Sequence, residues 1–374
     1  MRTPIAPSRT TRGRRSCARS GYARSTRSSP PAAPRRGGTV KGRVLVARQD
    51  NLGDVLLAGP AVRAVAAHAE SVVMLAGPRG AAAAEMLPGV DEVVTWCAPW
   101  IDPAPPPVTE SAIHEFSEVL RKIDADSAVV FTSFHQSALP LALLLRMAGV
   151  ERIAAISEDY PGSLLDVRHR VEGDPAEPER ALSLARAAGF ELPDGDDGRL
   201  AVRRPLPDVG HLVGRRRYVV VHPAASVPAR EWPMFRCRGA VRELAAAGRA
   251  VVVTGAPADR ELTAHVAGHS GIDLGGRTDL PELAAVLDGA DAVVAPNTGP
   301  AHLAAAVGTP VVSLFAPVVS AARWAPYGVP RVVLGEQFAP CRNTRARYCP
   351  VPGHPCLTLV TPEEVAAAVA EVTS

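Results

Sequence analysis

Residues 43–60 read RVLVARQDNLGDVLLAGP: a short apolar run, a polar loop with one glycine, and the start of a helical pattern. An apolar run of this length, bounded by a loop, suits a strand buried on both faces of a parallel sheet. The loop RQDNLGD (48–54) follows it. The helical pattern spans 55–68, with Leu56, Val62 and Ala66 on one face and Pro60 in the first turns, where proline is tolerated. The same rhythm continues outward. SVVML (71–75), DEVVT (91–95) and 127–131 read as strands, and 111–123, 139–149 and 177–188 as helices. A stretch rich in Pro, Asp, Gly and Arg covers 172–217, and an inter-domain linker is expected in its latter part, 191–217. Then YVVVH (218–222), 250–254, 292–295 and 310–315 read as strands, and 233–247, 258–268, 280–287 and 299–307 as helices. Strands alternating with helices in both halves predict an α/β fold of two doubly wound domains facing a cleft, with ligands at the carboxyl ends of the strands. The expected division is a basic tail over 1–41, an N-terminal domain over 42–205 and a C-terminal domain over 206–374.

Composition narrows the classes. The 374 residues are 47% hydrophobic and 21% charged, an ordinary globular balance. No run of about 18 apolar residues occurs, so no transmembrane helix is expected. Aromatic residues make up only 4%, which argues against stacking platforms for single-stranded nucleic acid. The net charge of +3 hides a split: 1–43 carries 12 Lys or Arg and no acid, leaving 29 basic against 38 acidic residues beyond it. A body of net −9 lacks the broad basic face that duplex binding needs, so no nucleic-acid partner is expected. The tail, rich in Arg, Ser, Thr, Pro and Gly, is expected to be disordered. It lacks the apolar core of a signal peptide. A translation start set upstream of the folded protein is the favoured reading, over an organelle transit peptide or a nucleic-acid arm. Lysine is confined to Lys41 and Lys122, against 39 Arg, a coding bias that forbids reading each arginine as chosen for its chemistry.

Missing motifs exclude further classes. No G-x-G-x-x-G follows either first strand, no G-x-x-x-x-G-K-[ST] occurs, and no G-x-S-x-G elbow is present. These disfavour nicotinamide or flavin dehydrogenases, P-loop nucleotidases and α/β-hydrolases. Three loops carry candidate chemistry instead. In 48–60, Gly53 permits a tight turn, and Asp54 is either an N-cap or a general base aimed into the cleft, with Asp50 next in line. In HPAASVPAREWP (222–233), His222 and Ser226 can donate hydrogen bonds and Arg230 can meet a phosphate; a solvated surface arginine is the plain alternative. In 295–317, Asn297, Thr298 and Gly299 open a helix whose free N–H groups favour an anion, and His302 lies in its first turn. Capping by Asn297 or Thr298, and a structural role for His302, are the alternatives there.

Together these loops resemble glycosyltransferase family 9, the ADP-heptose:lipopolysaccharide heptosyltransferases, over about 43–372. The carriers are RVLVARQDNLGDVLLAGPAVRAV (43–65), HPAASVPAREWP (222–233), TGAPADREL (254–262), the segment GGRTDLPELAAVLDGADAVVAPNTGPAHLAAAVGTPVVSLFAP (275–317) and CPVPGHPCL (349–357). The resemblance implies a GT-B type fold with two Rossmann-like domains, the acceptor on the N-terminal side and the nucleotide sugar on the C-terminal side. It implies an inverting, metal-independent transferase with ADP-heptose as donor, a glycan acceptor and no cofactor. By position it makes Asp54 the catalytic base, Arg230 the usually lysine residue at the diphosphate, Asp259 a nucleoside contact, and Thr298, Gly299 and His302 the phosphate-binding helix start. Two positions depart from the pattern: Asn297 replaces an aspartate and Ala224 a glycine. A transferase using another nucleotide sugar on a secondary metabolite, or a non-catalytic nucleotide-sugar-binding protein, are the competing readings. The expected setting is a cytoplasmic monomer, with peripheral contact at the inner membrane surface compatible with it.

Of six cysteines, Cys341, Cys349 and Cys356 with His354 form C-x7-C-x4-H-x-C. Three thiols and an imidazole are a legal zinc set, but the spacing matches no known zinc ligand pattern. A packed loop before the last helix (362–372) is the preferred reading, and disulfides are not expected in a cytosolic enzyme.

Overall fold

Twelve strands form two six-stranded parallel sheets in a computed structural model that describes residues 42–214 and 216–374. The expectations for the tail 1–41 lie outside the described residues. The first sheet holds β1 (Arg43–Arg48), β2 (Ser71–Ala76), β3 (Glu92–Thr95), β4 (Ser127–Val130), β5 (Arg152–Ile156) and β6 (Val167–His169), in the order β3-β2-β1-β4-β5-β6. The second holds β7 (Tyr218–Val221), β8 (Ala250–Val253), β9 (Ile272–Asp273), β10 (Ala292–Pro296), β11 (Val311–Leu314) and β12 (Arg331–Leu334), in the order β12-β11-β10-β7-β8-β9. Both sheets have the same doubly wound order, which reverses direction between β1 and β4 in one and between β7 and β10 in the other. Those reversals open a crevice at the carboxyl ends of four strands.

Side-chain alternation explains the layering. Val44 and Val46 of β1 and Tyr218 and Val220 of β7 belong to one buried cluster, built through the helices between the sheets. Leu45 and Ala47 face a second cluster behind the first sheet. Val219 and Val221 face a third behind the second sheet. The apolar interior is therefore continuous from one half of the protein to the other.

Three sequence expectations change. The helix expected over 55–68 is two helices, Leu52–Leu57 and Gly59–Ala66, and Pro60 stands at the start of the second, where an amide hydrogen is not needed. The segment expected as a linker, 191–217, does connect the halves but is strapped to both, Arg204 holding Asp288 of the second half through two bonds of 2.7 Å. Arg63 holds Asp196 through two bonds of 2.6 and 2.7 Å, the Arg203 amide donates to Met86 O at 2.7 Å, and Leu200 and Val202 are buried in the shared core. Strands β5, β6, β9 and β12 were not expected; β6 and β9, at three and two residues, are too short to show a period.

Gly53 does not make a tight turn. It is the second residue of helix Leu52–Leu57, which packs against helix Gly299–Val307 from the other half. A Cβ on Gly53 would stand 2.8 Å from His302 Cδ2 and 3.5 Å from Gly299 Cα, so the missing side chain allows the two helix starts to meet. A Cβ on Gly299 would meet closely the mobile end of Leu52, Cδ2 at 2.8 Å, with Leu52 Cβ and Gly53 N at ordinary contact distances of 3.6 and 3.7 Å. Gly53→Ala is therefore expected to destabilise by about 1–3 kcal/mol, as overpacking does. Gly299→Ala should cost clearly less, and denaturant midpoints of the two variants compare them.

Candidate active site

The loops after β1, β4, β7 and β10 meet around a cavity of about 230 Å³. Asp54, Ser226, Arg230, Asn297, Thr298, Gly299 and His302 all line it. Asp259 does not. It closes a 3-10 turn, Pro257–Asp259, where its carboxylate accepts the Ala256 amide at 2.9 Å. Ala224 is also absent from the wall of this cavity.

Asp54 is not the N-cap of its helix. Asn51 takes that position and Asp54 is the third helical residue. Its Oδ2 accepts the Asn51 amide at 3.2 Å, and its Oδ1 accepts from Arg48 Nη2 at 3.2 Å. These two bonds aim the carboxylate toward the cavity with 15% of the side chain exposed.

Arg48 lies beneath, 2% exposed, at the centre of a buried charge cluster. Its Nε is 3.0 Å from Asp50 Oδ1, its Nη1 is 3.6 Å from Glu177 Oε2, and its Nη2 also donates to Ser133 Oγ at 3.0 Å. Ser133 in turn donates to Asp50 Oδ2 at 2.8 Å, and Arg180 stands 3.7 Å from Glu177. Burial works against the Arg48 charge, but the carboxylates of Asp50, Asp54 and Glu177 outweigh it and hold the guanidinium above its ordinary pKa. Asp50 is raised, first by burial and then by Asp54, against the opposing pull of Arg48. Glu177 is likewise raised by burial, against Arg48 and Arg180.

The opposite wall is cationic. Arg230 ends a 3-10 turn, Pro228–Arg230, and its Nη1 donates to the Asn297 carbonyl at 3.2 Å. Burial lowers its pKa, and the Asp54 charge across the cavity restores part of the shift. Arg345 Nη2 approaches His135 Nε2 at 2.8 Å. A guanidinium only donates, so this imidazole nitrogen accepts and the ring carries its proton on Nδ1. Thr298 is the N-cap of helix Gly299–Val307, but its side chain makes no capping bond, so the capping alternative is not realised. His302 is pushed down to about 4 by burial and then by Arg230, leaving a neutral ring at neutral pH. Arg230 Nε and His302 Nδ1 are both buried without a partner. Gln49 Oε1, Asp50 Oδ1 and Trp324 Nε1 in the lining of the same cavity lack a hydrogen-bond partner as well, so the cavity presents both donors and acceptors to a polar ligand.

Sequence reasoning missed Arg48, Glu177, Arg180, Ser133, His135 and Arg345. The loop after β4, which carries Ser133 and His135, was within reach, because it leaves a switch-point strand already expected. Arg345 sits in an irregular segment with φ of +57°, where no pattern marks it. Among the described residues no three His, Cys, Asp or Glu side chains gather to hold a metal ion. Cys341, Cys349 and Cys356 are free thiols, and burial pushes Cys356 up to about 11.

Comparison with known proteins gives the family and the fold. The family model described as glycosyltransferase family 9 (heptosyltransferase) matches residues 113–353. Lipopolysaccharide heptosyltransferase 1 of Pseudomonas aeruginosa is 31% identical over 249 residues, covering 63% of this chain and 67% of that protein. The structure of Escherichia coli ADP-heptose lps heptosyltransferase II superposes with a TM-score of 0.68 at 20% identity, covering 88% of this chain and 98% of that one. An E. coli heptosyltransferase solved with ADP-2-deoxy-2-fluoro heptose gives 0.65 at 21% identity, covering 88% and 99%.

Proposed function

Since this chain belongs to glycosyltransferase family 9, we propose that it transfers a heptosyl residue, with inversion, from ADP-heptose to a hydroxyl of a lipopolysaccharide-core-type or other cell-envelope glycan. The supporting observation is a single cavity with the Asp54 carboxylate on one wall and Arg230, His302 and the start of helix Gly299–Val307 on the other.

In this reading Asp54 accepts the proton of the acceptor hydroxyl as its oxygen attacks the anomeric carbon. The bond from that carbon to the diphosphate breaks and ADP leaves. One displacement inverts the centre. General-base help of this kind contributes about 10²–10⁴ in rate. The charge developing on the leaving diphosphate falls to Arg230, Arg345 and the free N–H groups of the helix start, which are already oriented before the reaction. The buried nitrogens of Arg230 and His302 gain phosphate oxygens as partners. ADP-heptose serves as a substrate, and the step as written needs no cofactor. No helix among the described residues is long and apolar enough to cross a membrane. We place the enzyme on the cytoplasmic side, as a monomer reaching a membrane-bound acceptor from the inner surface.

Calorimetric titration tests the donor assignment. ADP should bind more tightly than UDP or GDP, and ADP-heptose should release ADP only with acceptor present. A clear preference for UDP would replace heptose with another sugar.

A further inference from the structure

Arg345 reaches the main cavity from an irregular segment that holds no acid of its own. No Asp or Glu occurs between Glu336 and Glu363. Arg345 enters no ion pair among the described residues. Its backbone is fixed all the same. The Asn343 and Arg345 amides donate to Pro317 O and Val318 O, each at 2.8 Å. Both residues sit in the left-handed region, at φ of +60° and +57°. Residues with a side chain adopt that conformation where their surroundings over-determine it.

The side chain is fixed from the other half of the protein. Its Nη2 donates to His135 Nε2 at 2.8 Å, and its guanidinium carbon stands 5.6 Å from the centroid of the Phe134 ring. Arg323 lies over the same ring at 4.4 Å and pairs with Asp174. His135 can accept because it is neutral: burial, then the Arg345 charge, pushes it down to about 4. Phe134 and His135 belong to a short turn after β4 that is itself braced. The Gln136 amide donates to Ser133 O at 3.0 Å, and the Ser133 amide donates to Gln136 Oε1 at 2.9 Å. Ser133 Oγ accepts from Arg48 and donates to Asp50. One turn of the first half thus touches both sides of the cavity. Through Ser133 it holds the guanidinium that bonds Asp54, and through His135 it holds Arg345.

We propose that His135 is a positioning residue for the donor: its Nε2 sets the direction of Arg345 toward the diphosphate, so the first half completes the anion site carried by the second. This rests on the transferase reading and deepens it. A guanidinium has five N–H groups, and those that His135 does not take are left for phosphate oxygens. A long side chain aimed before the ligand arrives does not have to be ordered at the moment of binding.

The test is calorimetric titration of the full chain with ADP. His135→Ala should weaken binding by about three- to tenfold, the scale of leaving one long side chain to be ordered by the ligand. His135→Gln should bind ADP as the wild type does, because its Oε1 takes nearly the place of Nε2 and accepts in the same way. Arg345→Ala should lose at least as much as His135→Ala, and the double variant no more than Arg345→Ala alone. A merely structural role for His135 would make the two losses add. Unchanged or tighter binding in His135→Ala, no recovery in His135→Gln, or additive losses in the double variant would each overturn the proposal. Failure of the wild type to bind ADP would instead count against the transferase reading.

Discussion

Asp54→Asn should lower heptosyl transfer by about 10²–10⁴, the loss typical when a general base is removed. The melting temperature and the ADP affinity should stay close to wild type. Asparagine has nearly the shape of aspartate, and its amide oxygen can still accept the Asn51 amide that Asp54 Oδ2 accepts at 3.2 Å. Arg48 would keep Asp50 and Glu177 as partners. What the variant cannot do is take the proton of an acceptor hydroxyl. A purely structural role, as a first-turn residue that ties down its own helix start, would survive the change. Retention of more than about a tenth of the turnover would move the base elsewhere. Asp50 is then the nearest candidate: it lines the same cavity, and burial already raises its pKa.

Arg48→Met should destabilise the protein by about 3–5 kcal/mol, because removing one partner of a buried ionic cluster strands the others. The stranded groups are Asp50 and Glu177, 8% and 2% exposed. The effect should depend on pH, and the sign follows from the direction of the shifts. Both carboxyls are raised by burial in the folded state, so between their ordinary and raised values the folded protein holds more protons than the unfolded chain. Stability then falls as pH rises through that window. Removing the Arg48 charge, which lowers both, widens the window upward. The difference between variant and wild type, measured by urea denaturation, should therefore shrink toward acid pH and grow toward neutral. A constant difference across pH would mean that lost packing dominates.

Much of the fold is legible in the amino-acid sequence. Two αβ series follow from apolar runs alternating with helical periods, and the glycine-flanked loops at 48–60 and 295–317 fall at switch points because the strands before them do. Helix boundaries were less legible. The pattern over 55–68 keeps its apolar face across Ala58, so periodicity alone cannot show the break there. The cap position of Asp54 misses for a related reason: the helix starts earlier, with Asn51 in the N-cap position, and either start fits the pattern. The buried cluster was the hardest part to foresee. Arg48 and Glu177 are 129 positions apart in sequence and meet only through the fold. In a chain where arginine replaces lysine almost everywhere, neither composition nor spacing singles out Arg48. Asp259, matched by resemblance to a nucleoside contact, closes its own turn by accepting the Ala256 amide and lies off the wall of the 230 Å³ cavity.

The core shared by Val44, Val46, Tyr218 and Val220 has a consequence for how the molecule comes apart. Halves joined by a thin polar seam melt in two calorimetric steps and survive being expressed separately. Here the helices between the sheets supply apolar side chains to both halves at once, and the strap 191–217 adds Leu200 and Val202 to the same interior. Severing the halves would leave each with an uncovered greasy face. Heating should therefore give one cooperative endotherm, with van't Hoff and calorimetric enthalpies in agreement, and a fragment ending near residue 205 should aggregate rather than fold.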